Sequence, residues 1–222
     1  MRVSILVRSF RLFILLLFIG NCSCTINTST NHYSSHYETL TELAGSPLLH
    51  SGKVFLNGNI EQSMATLICQ KLFVLESDDK VNRITLYINS GGGDDDAYLA
   101  IVNTIKNLKK PVDTVNQSYC MSAAMGVYQA ATGKRLAYKN SVFLLHAFKS
   151  KSRSSNSDTT KILHMVNDAY TKIIRAKSDL PADWFPISDV NKIFTADEAL
   201  RYKFVDEIIQ PSQSDQISQT EK

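Results

Sequence analysis

Ser122 lies among small residues in Tyr119-Cys120-Met121-Ser122-Ala123-Ala124-Met125-Gly126, and His146 stands 24 residues further on, at the end of Ser141-Val142-Phe143-Leu144-Leu145. A serine hydroxyl is a weak nucleophile at its free pKa, so it needs a neighbouring base and a cradle for the oxyanion formed when it attacks a carbonyl. His146 is the candidate base. The small neighbours of Ser122 let a substrate carbonyl approach a helix start, and the Ala123 amide is one candidate oxyanion donor. The run Gly91-Gly92-Gly93 can adopt backbone conformations closed to residues with a Cβ, which makes the Gly92 amide the candidate second donor. Each feature alone has a plainer reading: a serine capping a core helix, a tight turn, a satisfied core histidine. Together they point to acyl transfer.

Such groups must be held at strand and helix ends, and the patterning supplies those ends. Lys53-Val54-Phe55-Leu56 reads as a strand, followed over 60–75 by apolar residues Met64, Leu67, Ile68, Leu72 and Val74 at mostly helical spacing. The β-rich run 83–89 ends in the glycines, and helical periodicity resumes over 97–108 through Leu99, Ile101, Val102, Ile105 and Leu108. A short strand over 111–115, an apolar helical segment over 122–131 and a strand over 141–145 continue the alternation. After a basic, serine-rich loop over 149–160, residues Ile162, Met165, Val166, Ala169, Ile173 and Ile174 make one apolar helical face. Thr195-Ala196-Asp197-Glu198 reads as a capped helix start, and 204–209 as a closing strand. Repeated strand-turn-helix units predict an α/β fold, a mainly parallel sheet with helices outside it.

The 222 residues carry 24 basic and 21 acidic side chains, a formal net charge of +3, with no Lys/Arg block of the kind that tracks phosphates. Nucleic acid is therefore not an expected partner. Arg2, Arg8 and Arg11 precede the apolar run 12–19, and small or polar residues follow, which is the layout of a secretory leader. Residues 1–24 are thus expected to be a signal peptide or lipoprotein leader, with Cys22 in an imperfect lipobox as the candidate lipid-attachment residue. An N-terminal anchor helix is the alternative. The expected location is the periplasm, free or membrane-anchored facing it, with secretion the other possibility. A polar linker over 25–50, one domain over 51–210 and a polar tail over 211–222 complete the organisation. Of the cysteines outside the leader, Cys69 sits in a helical apolar pattern and reads as a buried small hydrophobe rather than half of a disulfide. No CxxC pair or His/Cys cluster offers a metal site, and the chemistry calls for no cofactor.

From about Val54 to Ile209 the sequence resembles the proteolytic subunit of the Clp protease, of the ClpP/crotonase fold. The likeness rests on Phe55-Leu56-Asn57-Gly58-Asn59-Ile60, on Tyr87-Ile88-Asn89-Ser90-Gly91-Gly92-Gly93 with Gly91 in place of a proline, on Met121-Ser122-Ala123-Ala124, on the strand delivering His146, and on the closing segment 199–208. The resemblance implies a serine endopeptidase acting on peptides or unfolded protein through a Ser122 acyl-enzyme, and a homo-oligomeric ring. It also implies a third catalytic member, which falls on Asn191 where the family has aspartate; Asp189, two residues earlier, is the alternative. An amide orients a histidine but does not stabilise imidazolium by charge. A second register puts Ala124 at the nucleophile position, only 22 residues before His146, and would make the chain a catalytically silent scaffold or peptide-binding protein. A third reading takes Lys134 as base, as in membrane peptidases of the same fold. Lys203 at the closing motif's glycine position disfavours a left-handed turn there. Lys149 to Ser155 lacks the paired glycines of the family's oligomer-handle strand, and 25–50 lacks any likeness to the loop that engages the ATPase, so an ATPase partner is not expected.

Overall fold

The computed structural model describes residues 46–149, 157–185, 187–188 and 190–210. The leader, Cys22, most of the polar linker, Asp189 and the polar tail lie outside the described residues.

Seven strands form one sheet: β1 (Lys53–Asn57), β2 (Ile84–Ser90), β3 (Val112–Met121), β4 (Arg135–Tyr138), β5 (Val142–Leu145), β6 (Lys192–Thr195) and β7 (Glu207–Ile209). Its path runs β1-β2-β3-β4-β7, and every pair on it is parallel. The longer helices among the described residues are α1 (Gln62–Ser77), α2 (Asp95–Asn107), α3 (Ala123–Gln129), α4 (Ser157–Arg175) and α5 (Ala196–Arg201); a single helical turn, Pro47–His50, falls within the stretch read as polar linker and buries Leu49 in the core, so the folded part begins before residue 51. The expected α/β architecture, a mainly parallel sheet with outer helices, is the one observed.

Side-chain alternation explains the central strands. In β2, Ile84, Leu86 and Ile88 are fully buried while Thr85 and Tyr87 are half-buried, and Tyr87 stacks on Phe55 of β1 with ring centroids 5.1 Å apart. Helix α1 buries Ala65, Ile68, Leu72 and Leu75, a stripe at helical spacing. Helix α2 buries Ala97, Tyr98, Ile101, Val102 and Ile105. Each such aliphatic side chain removed from water contributes about 1.5–3 kcal/mol. Phe143, Phe194, Phe204 and Tyr128 form an aromatic cluster with centroid separations of 5.3 to 5.8 Å.

Strand β3 is longer than its short apolar run suggests, and it forks. Thr114, Val115 and Asn116 pair with β4, whereas Tyr119, Cys120 and Met121 pair with β5. At the branch the buried Asn116 side chain donates through Nδ2 to the Val142 carbonyl at 3.1 Å. Strand β5 then pairs with β6 in the sheet's antiparallel ladder, from Val142↔Thr195 to Leu145↔Lys192. The other branch is closed by Arg135, which is 5% exposed: its guanidinium holds Asp206, Gln129 Oε1 at 2.9 Å and the Lys177 carbonyl at 2.7 Å.

Three readings from sequence need correction in detail. The buried stripe of α4 is Val166, Tyr170 and Ile174, whereas Ile162 and Met165 are 58% and 63% exposed. Lys203 does adopt a left-handed φ of 50°, and its ammonium meets Asp179 Oδ2 at 2.7 Å. Strands β4 and β6 were not expected; both are four residues long, too short to show a pattern. Cys69 and Cys120 are free thiols. Cys69 is half-buried and accepts from Thr104 Oγ1 at 3.2 Å, while the fully buried Cys120 thiol is pushed well up by desolvation.

Candidate active site

Parallel strands share an orientation, so their carboxyl ends lie along one edge of the sheet, where ligands of open α/β sheets bind. Ser90 ends β2 and faces Cys120 of β3 across an irregular register. Ser122 follows the end of β3, and His146 follows the end of β5, whose Leu144 faces Met121. The glycine run, Ser122 and His146 are thereby brought to one edge by three adjoining strands. Ser122, His146 and Gly93 all line a cavity of about 390 Å³, with Asp95, Phe148 and Ile162 among its other walls.

Ser122 is a non-glycine residue at φ 53°, ψ −127°, in the turn between β3 and α3. Such a backbone costs of order 1–3 kcal/mol and persists only where its surroundings over-determine it. Here the Ser122 N–H donates to the Leu144 carbonyl at 2.8 Å. The Ser122 carbonyl accepts from the Met125 N–H at 2.9 Å and from the Tyr170 hydroxyl at 2.8 Å. Helix α3 behind it is buried throughout and built from small and apolar residues, Ala123, Ala124 and Gly126 among them. A Cβ on Gly126 would come within 2.7 Å of Tyr98 and 3.2 Å of Tyr170. Ala124, the alternative nucleophile position, is fully buried in this helix.

Gly92 has φ 94°, and a Cβ there would lie 2.7 Å from both the Met121 carbonyl oxygen and Ser122 Cβ. Glycine is required both by the backbone and by the approach of Ser122. The Gly92 N–H donates to Ser90 Oγ at 3.1 Å. Gly93 bridges to Ile60 and is the glycine that lines the cavity. The substitution Gly92→Ala is expected to lower the melting temperature by several degrees and any hydrolysis by 10²-fold or more, because the new methyl displaces Ser122. Thermal unfolding and a peptide-cleavage assay check the two effects.

His146 is half-buried, and the next N–H along, that of Ala147, donates to the Ser188 carbonyl at 2.9 Å. The β5–β6 ladder ends at Leu145↔Lys192, one residue short of His146 on one strand and of Asn191 on the other, and the bond from Ala147 to Ser188 departs from its register. Asn191 is exposed. Asp189 lies outside the described residues, and its described neighbours Ser188 and Val190 are both exposed. Lys134 is committed elsewhere, with its ammonium 3.0 Å from Glu207 Oε2.

Three residues of this edge escaped the sequence reading. Gly93 was passed over for its neighbour. Asp95, in the first turn of α2, was not singled out and lines the cavity. Tyr170 was left out of the apolar face read from sequence; a buried tyrosine usually finds a partner for its hydroxyl.

A mainly parallel sheet with a serine at a strained strand-to-helix turn, and a histidine from the strand paired beside it in the same cavity, is consistent with the ClpP fold. The chain belongs to the Clp protease family, whose model, described as Clp protease, matches residues 37–212. It is 32% identical over 169 residues to the ATP-dependent Clp protease proteolytic subunit 3 of Frankia casuarinae, covering 74% of this chain and 79% of that protein. It is 31% identical to subunit 2 of the same organism over 178 residues, 78% of this chain and 82% of that one. The ATP-dependent Clp protease proteolytic subunit of Deinococcus radiodurans is 30% identical over 170 residues, 74% of this chain and 83% of that protein.

Proposed function

We propose that the protein is a serine peptidase that hydrolyses peptide bonds through an acyl-enzyme on Ser122. The observation that carries this reading is the shared cavity of Ser122 and His146, with Ser122 held at φ 53° by hydrogen bonds to both sides of its backbone. His146 takes the hydroxyl proton as Oγ attacks the scissile carbonyl, and the carbonyl π electrons become the oxyanion. The Ala123 N–H is one donor to it. Gly93 is the better second donor, because the Gly92 N–H is already given to Ser90 Oγ and Gly92 serves the close approach of Ser122. Collapse breaks the C–N bond, and His146 returns the proton to the leaving amine. Water, deprotonated by the same imidazole, then attacks the ester and frees Ser122.

The third member is Asp189 in this reading, with Asn191 as its competitor. A carboxylate stabilises the imidazolium that forms at each step, which an amide does not. The bond from the Ala147 N–H to the Ser188 carbonyl supports a path for this segment alongside the histidine.

The word "subunit" in the relatives' names supports assembly into a homo-oligomer, and turnover without an ATPase is part of the proposal. It rests on the leader-like start and on the absence of a family-like docking segment over 25–50. The test is cleavage of fluorogenic peptides by the purified chain without ATP, together with labelling by a fluorophosphonate. Absence of both overturns the reading, and peptide binding without turnover supports a silent scaffold instead.

A further inference from the structure

Tyr170 stands 48 residues beyond Ser122 in sequence, on a different helix, yet its hydroxyl donates to the Ser122 carbonyl oxygen at 2.8 Å. Its side chain is completely buried and belongs to an aromatic cluster under the site. Tyr98 lies edge-on to it at 5.9 Å and Phe148, a wall of the cavity, at 5.1 Å. Burial holds the Tyr170 hydroxyl protonated, pushing its pKa well above the usual phenol value, so it is a permanent donor.

The carbonyl it grips is one half of a peptide group whose other half is the Ala123 N–H. A trans peptide is planar, with its C=O and N–H pointing in opposite directions. Fixing the oxygen inward therefore fixes the direction in which the Ala123 N–H points. Two donors fix that oxygen, Met125 N–H at 2.9 Å and Tyr170 Oη at 2.8 Å. The Met125 bond is the local closure of the turn, whereas Tyr170 ties it to α4. A hydrogen bond accepted by the carbonyl also polarises the amide and strengthens its N–H as a donor. The strained φ of Ser122 makes this restraint consequential, since the turn has a lower-energy alternative to relax toward if a restraint is lost.

We infer that Tyr170 is a positioning residue for the oxyanion site: by holding the Ser122 carbonyl it aims the Ala123 N–H at the oxygen that becomes negative during acyl transfer. This rests on the reading of Ser122 as nucleophile and of Ala123 as donor. Its contribution is realised only once the oxyanion forms, so it belongs in kcat and in the affinity of transition-state analogues, not in substrate binding.

The experiment compares full-length wild type with Tyr170→Phe and with Tyr98→Phe. The latter removes a buried hydroxyl from the same cluster that has no hydrogen-bond partner among the described residues. For each, kcat and KM are measured on one fluorogenic peptide. So is inhibition by a peptide aldehyde, which adds to the serine and places an oxyanion, and by the corresponding peptide alcohol, which does not. Tyr170→Phe is expected to lower kcat and aldehyde affinity each about tenfold, with KM and alcohol affinity within twofold. Tyr98→Phe should leave all four within twofold. Unchanged kcat in Tyr170→Phe, or equal losses for aldehyde and alcohol, overturns the inference. So does an equal effect of Tyr98→Phe, which would mark general loosening of the cluster. If Tyr170→Phe proves too unstable at 25 °C, the aldehyde-to-alcohol ratio at 10 °C decides, since both inhibitors read only folded protein. Failure of wild type to react with a fluorophosphonate overturns the proposed peptidase itself, whereas normal labelling with an indifferent Tyr170→Phe removes only the role of the tyrosine.

Discussion

Replacing Ser122 by alanine is expected to abolish peptide hydrolysis and fluorophosphonate labelling together, with kcat falling by roughly 10⁶-fold and peptide binding nearly unchanged. The reasoning is that removal of Oγ takes away the bond-forming atom and nothing else. The hydrogen bonds given to the Leu144 carbonyl and received from the Met125 N–H and the Tyr170 hydroxyl all engage main-chain atoms of residue 122. Alanine meets the same φ penalty as serine, so the melting temperature should move by no more than a few degrees. Labelling that persists in Ser122→Ala would put the nucleophile elsewhere. Labelling lost together with folding would be seen in the melting curve and would make the variant uninformative on chemistry but contradict the stability expectation.

The second large effect concerns the residue that orients His146. Asp189→Asn is expected to lower kcat by a factor of order 10⁴, because the imidazolium then loses its counter-charge and the histidine its preferred tautomer. Asn191→Ala should leave kcat within about threefold. The opposite pattern would assign the third position to Asn191, which directly precedes β6 where that strand pairs with β5. In that event Asn191→Asp should raise activity, since a carboxylate would be supplied where only an amide now stands.

Much of this was legible in the sequence for physical reasons that apply to particular residues. The strand of 141–145 and the small residues after Met121 mark the two strand ends that bring His146 and Ser122 to one edge, because a parallel sheet places all its carboxyl ends together. The glycine run was legible because a backbone at φ 94° pressed against another residue's Cβ admits no side chain. Thr195 and Glu198 realise the capping box that their spacing announces, with Glu198 Oε2 accepting from the Thr195 N–H at 2.8 Å. Other features were not legible. The choice between Gly92 and Gly93 depends on which amide Ser90 Oγ occupies, a matter of rotamer and not of residue type. The bond from Tyr170 to Ser122 joins segments 48 residues apart through a main-chain carbonyl, which carries no sequence signature. The exposed Ile162 and Met165 look identical in periodicity to the buried Val166 and Ile174, because a helical wheel fixes angles between residues and not which sector meets the sheet.

The fork in strand β3 decides how Ser122 and His146 are held together. Ser122 stands at the end of the limb that β3 shares with β5, and His146 hangs from β5 itself. The opposite limb, β4 with β7, is clamped by the Arg135 and Asp206 pair and bears neither group. Ser122 and His146 therefore sit at the ends of two directly paired strands, so their spacing is set by the β3–β5 ladder alone and not by the β4–β7 limb.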